Sequence, residues 1–296
     1  IAFADAKGCN AFSVAEYVVA LLFYLSVKYN FVLKDKSIGI VGVGNIGSKV
    51  ARFAEALGMK ILLNDPPLER IGVPGKFVSL NEILKCDIIT LHTPLNPNGL
   101  DKTLHLINKD NLAALKENTI LINTSRGAVV NNYDLLETIK RKRIITVLDV
   151  WEHEPAINSE LLERTDIATP HIAGYSYEGK ANGTIMIYES LCKFLNAEKK
   201  YDFQFPVITD PVIEIDFSER FENNMNQLIS KIYSIADDDK RMRKISGMSN
   251  SEIIKEFDKQ RKNYPVRREF NNYKIENTNL NEKTKSVLSD LRFKII

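Results

Sequence analysis

The sequence predicts an α/β protein, a doubly wound parallel sheet followed by a small α+β domain. Three observations predict it. Short apolar runs alternate with amphipathic helical segments between residues 37 and 169. A glycine-rich turn, Gly42-Val43-Gly44-Asn45-Ile46-Gly47, joins one such run to a helix. Beyond Gly179 the alternation stops, and one more helix gives way to proline-punctuated, β-rich and then highly charged stretches. Strands separated by helices build parallel sheets with both faces covered.

The elements follow in order. Residues 11–27 combine helix formers with apolar residues on most faces, which predicts a buried helix. Residues 34–36 make a polar turn, and 37–41 are a continuous apolar run, as expected of a buried parallel strand. Residues 45–57 read as a helix with Val50, Phe53, Ala54 and Leu57 on one face and Gly58 as its cap. Strands are expected at 59–64, 88–91, 119–122, 144–148 and 167–169, with helices at 80–85, 109–115, 133–140 and 184–195. Pro206 and Pro211 border a β-rich run at 212–215, and charged helical segments extend to residue 268. Residues 277–285 are polar enough for a loop or a frayed end.

Composition excludes several classes. At 296 residues the chain has room for more than one core. Its 44% hydrophobic and 26% charged content is that of an ordinary globular protein. A net charge of +2 gives no reason to expect a nucleic-acid or membrane partner, and the basic run 140–143 reads as a solvated helix C-terminus. Cys9, Cys86 and Cys192 are far apart, so neither a disulfide scaffold nor a zinc site is expected, and a reducing cytoplasm fits. The longest apolar stretch, 18–25, falls short of the roughly 20 residues that span a bilayer. No HExxH or GxSxG pattern occurs, so no metal centre or serine nucleophile is expected.

Each polar anchor follows a strand, at the edge where ligands bind in such sheets. Gly42 permits the tight bend, Gly44 lets a pyrophosphate approach the backbone, and Gly47 lets helix and strand pack closely. The helix start at Asn45 and Ile46 offers amides to the phosphates, which makes this a Rossmann-type dinucleotide site. Asp65 can accept the ribose hydroxyls and would repel a 2′-phosphate, so NAD is favoured over NADP, with Arg70 leaving a small opening for the latter. Arg126, beside Gly127, offers a planar fork for a carboxylate. His171, after Pro170, can take or give a proton near neutrality. Glu154 would hold its ring and balance its charge. His92, His105 and His153 lack that setting. Together these are the parts needed to exchange a hydride between a nicotinamide and a 2-hydroxy acid.

The segments IVGVGNIGSKV (40–50), LHTPL (91–95), LINTSRGAVVNNYDLL (121–136), VLDVWEHEP (147–155) and DIATPHIAG (166–174) resemble the D-isomer-specific 2-hydroxyacid dehydrogenases. GCNAFSVAEYV (8–18), LLNDPP (62–67), HIAGYSYEGKANGT (171–184) and the tail segments DDDKRMRKISG (237–247) and EFDKQRKNYPVRREF (256–270) are similar to one branch of that family. That branch acts on a small phosphorylated 2-hydroxy acid and carries a C-terminal dimerisation domain. The resemblance implies that Arg126 and Glu154 are the active-site pair, that His171 is the proton donor, and that Arg126 and Tyr175 touch substrate. It implies that Asp65, Thr93, Asp149 and Gly174 contact NAD, with the backbone of Asn123, Thr124 and Ser125 lining the nicotinamide. It implies a homodimer and this layout: 1–10 a remnant of the substrate lobe, 11–178 the NAD-binding domain, 179–200 a helix returning to the lobe, and 201–296 the dimerisation domain.

The family builds its substrate lobe mainly from a segment before the first long helix, and no such segment precedes it here. NAD binding is therefore better supported than turnover, and Phe3, Val18 and Leu22 are expected to be left exposed. Arg267 and Arg268 read as charged surface, with reach into a neighbouring subunit's site as the rival. Two rival functions stay open: a dehydrogenase for another acid such as 3-phosphoglycerate, and an NAD-binding protein without turnover.

Overall fold

Six strands form one parallel sheet in the computed structural model of the chain, which describes residues 3–276 and 280–296. They are β1 (Ser37–Val41), β2 (Lys60–Asn64), β3 (Ile88–Leu91), β4 (Ile120–Asn123), β5 (Ile145–Leu148) and β6 (Ile167–Ala168). Their spatial order is β2-β1-β3-β4-β5-β6, so the winding reverses between β1 and β3 and opens a crevice at their carboxyl ends.

The helices before and between them are α1 (Ala11–Lys28), α2 (Gly47–Ala56), α3 (Pro66–Arg70), α4 (Leu80–Ile83), α5 (Lys109–Ala114), α6 (Asn132–Ile139) and α7 (Ser159–Arg164). Short polar caps start most of them: Ser79 and Asn108 form capping boxes, and Asn131 and Asn158 each accept a first-turn amide. Two helices were not foreseen, α3 and α7. In α3 the pair Pro66-Pro67 looks like a turn, yet proline is preorganised for a first helical position once Asp65 caps the turn. Helix α8 (Tyr177–Phe194) begins well before residue 184. Its internal Gly179 and Gly183 weaken the sequence signal, but Ser176 caps it by accepting the Gly179 amide at 2.8 Å. The boundary drawn at 178/179 therefore falls inside a helix.

Alternate strand residues face opposite sides. Ile38, Ile40, Ile88, Ile120, Ile122, Ile145 and Val147 pack with α1 and α2, while Ile89, Leu91, Leu121 and Leu148 pack with α4 to α7. Burial on both sides explains why these strands read as unbroken apolar runs.

The C-terminal part contains α9 (Phe221–Ile232), α10 (Ile235–Met242), α11 (Asn250–Lys262) and α12 (Glu282–Asp290), with a parallel sheet of β7 (Val212–Glu214), β8 (Lys274–Glu276) and β9 (Lys294–Ile295). Among the described residues its buried side chains join the cores on the two faces of the large sheet. Met225, Leu228 and Ile229 of α9 and Leu288 of α12 join the α1 side, while Met242, Ile245, Ile253 and Phe257 join the opposite side. The Asp239 carboxylate accepts the Ala168 amide at 2.8 Å, fastening α10 to the β6 edge.

This packing corrects three expectations. Val18 and Leu22 are buried, because α9 lies along α1 with Phe23 and Phe221 edge to face at 5.9 Å; Phe3 is exposed as expected. Arg267 and Arg268 are not a charged surface. Arg267 is buried and donates to the carbonyls of Ser13 and Ala173, and Arg268 pairs with Glu178 at 2.5 Å. Of residues 277–285, those from Glu282 onward are helical, with Asn281 capping α12, and 277–279 lie outside the described residues. Helix α1, at mean hydropathy 1.5, is long and apolar enough to cross a membrane by length and composition, but 78% of it is buried, which marks a core helix.

Candidate active site

The glycine-rich turn leaves β1 with Gly42 at φ 84°, a left-handed conformation that favours glycine. A Cβ on Gly42 would stand 2.8 Å from the backbone of His92, so the turn after β1 touches the segment after β3 at the switch point. A Cβ on Gly47 would lie 1.9 Å from the Gly42 carbonyl oxygen, which is the close helix–strand packing expected of it. A Cβ on Gly44 would meet nothing within 4 Å, so that position faces open space. Asn45 is exposed at the same turn, and Ile46 leads directly into α2.

Asp65 sits at the end of β2, where its carboxylate accepts the Val43 amide at 2.8 Å and the Leu68 amide at 3.0 Å. One side chain thus ties the glycine turn to α3. Asp65 and Thr93 line a cavity of about 280 Å³ together with Gly42, Gly44 and Pro66. Arg70 pairs with Asp101 at 2.5 Å, so its charge is already engaged.

At the end of β4, Asn123 organises the following turn. Its side-chain Oδ1 accepts the Ser125 amide and hydroxyl at 3.1 and 2.7 Å, and its Nδ2 donates to the Arg126 carbonyl at 3.0 Å. Arg126 emerges exposed, with Nη1 donating to the Ser125 carbonyl at 2.7 Å. Gly127 presses against the next crossover: a Cβ there would sit 1.9 Å from the Trp151 carbonyl carbon. The Trp151 amide in turn donates to Glu154 at 3.3 Å. Arg126 and Glu154 are therefore joined through one tight backbone contact, though no direct bond links Arg126 to His171.

Glu154 Oε1 lies 2.6 Å from His171 Nδ1. Among the described residues no hydrogen bond engages His171 Nε2. The ring is thus oriented on one side and open on the other. Its backbone is fixed as well: the His171 amide donates to the Asp149 carbonyl at 2.7 Å, and the Asp149 carboxylate accepts the Ile172 and Ala173 amides and the Thr169 hydroxyl. Asp149 is buried and fully engaged, so it clamps the turn that carries His171. That positioning work is not what the sequence assigned to it. Gly174 in the same turn packs on Asn10 at the start of α1, and Tyr175 accepts a hydrogen bond from Arg261 at 3.1 Å.

Comparison with known proteins fits this geometry. Residues 26–173 match the D-isomer specific 2-hydroxyacid dehydrogenase NAD binding domain, and residues 209–291 match a domain of unknown function, DUF3410. The chain is 44% identical over 281 residues to erythronate-4-phosphate dehydrogenase of Proteus mirabilis, covering 93% of this chain and 73% of that protein. It belongs to the D-isomer-specific 2-hydroxyacid dehydrogenase family. The Escherichia coli erythronate-4-phosphate dehydrogenase of strain ATCC 8739 is 43% identical over 273 residues, covering 91% of this chain and 71% of that one. Among solved structures, an NAD-dependent formate dehydrogenase from Staphylococcus aureus in complex with NAD superposes with TM-score 0.55 at 29% identity, over 66% of this chain and 65% of that one. D-lactate dehydrogenase from Aquifex aeolicus, complexed with NAD and lactic acid, gives 0.52 at 30% identity, over 62% and 66%.

The residues of this 2-hydroxyacid dehydrogenase fit NAD. Gly44 leaves room at the turn, and Thr93 Oγ1 is a buried hydroxyl with no partner among the described residues, an orphan that a bound ligand would satisfy. Two histidines set aside from sequence also have defined places in the dehydrogenase. His92 lies between the hydroxyls of Thr90 and Thr124 at 3.0 and 3.2 Å, and burial pushes its pKa down to about 3, so it stays neutral and props the turn after β4. His105 forms a second histidine–carboxylate pair with Glu152 at 2.7 Å. Burial opposes ionisation of Glu152, but the Asn132 amide and His105 hold its carboxyl below the usual range. Both ring nitrogens of His105 are occupied, by Glu152 and by Asn131 at 3.4 Å, so that imidazole braces a loop. Of His92, His105 and His171, the last alone keeps a ring nitrogen without a hydrogen bond among the described residues, and it alone is oriented by a carboxylate with its other nitrogen open.

Proposed function

We propose that this dehydrogenase oxidises the C2 hydroxyl of 4-phospho-D-erythronate, giving (R)-3-hydroxy-2-oxo-4-phosphooxybutanoate, a step in pyridoxal 5′-phosphate biosynthesis. The contact between Glu154 and His171, with Nε2 left open, carries the chemistry. The substrate assignment is supported by the named relatives and by a tail that resembles theirs.

When bound, NAD would supply the acceptor for the hydride that leaves C2. His171 Nε2 removes the proton of the C2 hydroxyl and returns it in the reverse direction, a contribution of about 10²- to 10⁴-fold for a well-placed group. Glu154 keeps Nδ1 protonated and stabilises the imidazolium. Arg126 grips the substrate carboxylate through its planar fork and fixes C2 relative to His171. Asp149 holds the turn that presents His171. The same reading has Asp65, Thr93, Gly174, the 42–47 turn and Asn123 to Ser125 lining the cofactor, and Tyr175 at the substrate side. It also gives a cytoplasmic homodimer formed through residues 201–296, which sedimentation equilibrium would register as twice the 33.6 kDa chain mass.

The assignment is tested by parallel assays of NADH formation with 4-phospho-D-erythronate and 3-phospho-D-glycerate. A higher kcat/KM for the erythronate is expected. A preference for the glycerate would overturn the assignment while leaving the family intact.

A further inference from the structure

Two cations converge on Tyr175, four residues beyond His171. Lys180 Nζ lies 4.4 Å from the centre of its ring and the Arg261 guanidinium carbon 5.7 Å, with Arg261 Nη2 donating to the phenol oxygen at 3.1 Å. Tyr264 packs edge-on against the same ring at 5.9 Å, fixing its orientation. Several basic neighbours in the C-terminal part are neutralised: Arg241 pairs with Asp238, Arg243 with Asp239, Lys259 with Glu256 and Arg268 with Glu178. Among the described residues Arg261 and Lys180 hold no carboxylate. Arg261 Nε is moreover a buried donor without a partner, and a guanidinium N–H left unsatisfied is costly unless something binds there. The start of the 18-residue helix α8 adds its positive end immediately after Tyr175.

We propose that Arg261, Lys180 and the Tyr175 hydroxyl form the subsite for the phosphate of the substrate. The inference rests on the reading that the substrate is a phosphorylated 2-hydroxy acid held by Arg126 and His171. A dianionic phosphate needs cations beyond the one that takes the carboxylate, and a planar guanidinium with a spare N–H suits it. The Tyr175 amide donates to the Ile172 carbonyl at 2.8 Å, which folds the phenol's turn back next to His171. Arg261 stands on the last turn of α11, inside the matched domain of unknown function. That domain thereby supplies specificity for a phosphorylated acid.

The test is calorimetric titration of the NADH-saturated full chain, which has no hydride acceptor to turn a hydroxy acid over, and of its R261M and K180M variants with 4-phospho-D-erythronate, D-erythronate and 3-phospho-D-glycerate. The parent chain should prefer 4-phospho-D-erythronate. Each variant should lose about tenfold or more in affinity for it while D-erythronate and NADH affinities stay within about twofold, so that the preference collapses. R261K should recover part of the loss. Lys180 is exposed, so K180M keeps the test valid if R261M misfolds. An undiminished preference in both variants overturns the subsite and leaves the functional reading standing, as does an equal loss for 4-phospho-D-erythronate and D-erythronate. If the parent prefers 3-phospho-D-glycerate and the variants abolish that preference, the subsite stands and the erythronate reading falls.

Discussion

His171 Nδ1 lies 2.6 Å from Glu154 Oε1, and the two residues hang from separately anchored backbone. Glu154 is tied to the Trp151 amide, and His171 to the turn clamped by Asp149. The carboxylate therefore selects the tautomer and supports the charge, without having to move. Glu154→Gln keeps the size but removes the charge. We expect it to lower kcat/KM by about 10²-fold or more with NAD affinity unchanged, measured by steady-state NADH formation and cofactor titration.

Arg126→Lys retains a positive charge on an exposed stem but loses the two-pronged geometry. We expect kcat/KM for the acid to fall about tenfold or more, chiefly through KM. Thermal stability should match the parent's, because Arg126 contributes one bond to its neighbour's carbonyl.

Two glycines of the same turn should differ in what their substitution costs the fold. Gly47→Ala places a methyl 1.9 Å from the Gly42 carbonyl oxygen, so the turn must open, and both melting temperature and NAD affinity should drop. Gly44→Ala meets no protein atom within 4 Å. Its melting temperature should barely change, whereas NAD affinity should fall as the methyl enters the crevice. Differential scanning calorimetry with NAD titration separates the two effects.

Much of this arrangement was legible in the sequence because it depends on local grammar. A glycine spacing after an apolar run fixes the turn after β1, and Arg126 and His171 follow runs long enough to be recognised as strands. What escaped depends on distant packing. Asp149 cannot be seen as a clamp until β5 and β6 bring it under the 169–173 turn. Arg261 is one cation among many in a charged helix, distinguished by its bond to the Tyr175 hydroxyl and its buried, unpartnered Nε. Val18 and Leu22 look exposed until α9 covers them. Gly179 and Gly183 hid the first turns of α8, where glycine lets the helix approach Ser13 and Asn10.

His92 gives a dependence on pH. Its pKa falls from the ordinary 6.5 to about 3 on burial, so below pH 6.5 the unfolded chain takes up a proton that the folded chain refuses. Stability from this group is full above 6.5 and declines as pH drops towards 3, by up to about 1.4 kcal/mol per pH unit. His92→Gln should flatten the acid limb of a plot of unfolding free energy against pH. An unchanged slope would remove His92 from the account.

The central claim is that His171 moves the substrate proton, and Glu154 and Asp149 exist to hold it there. Single-turnover NADH formation by His171→Ala, at saturating NAD and 4-phospho-D-erythronate, tests it most directly alongside an NAD titration of the same variant. We expect the rate to fall by at least about 10²-fold with NAD affinity within about twofold of the parent. A variant that turns over at near-parental rate, or that loses NAD binding in proportion to rate, would contradict the claim.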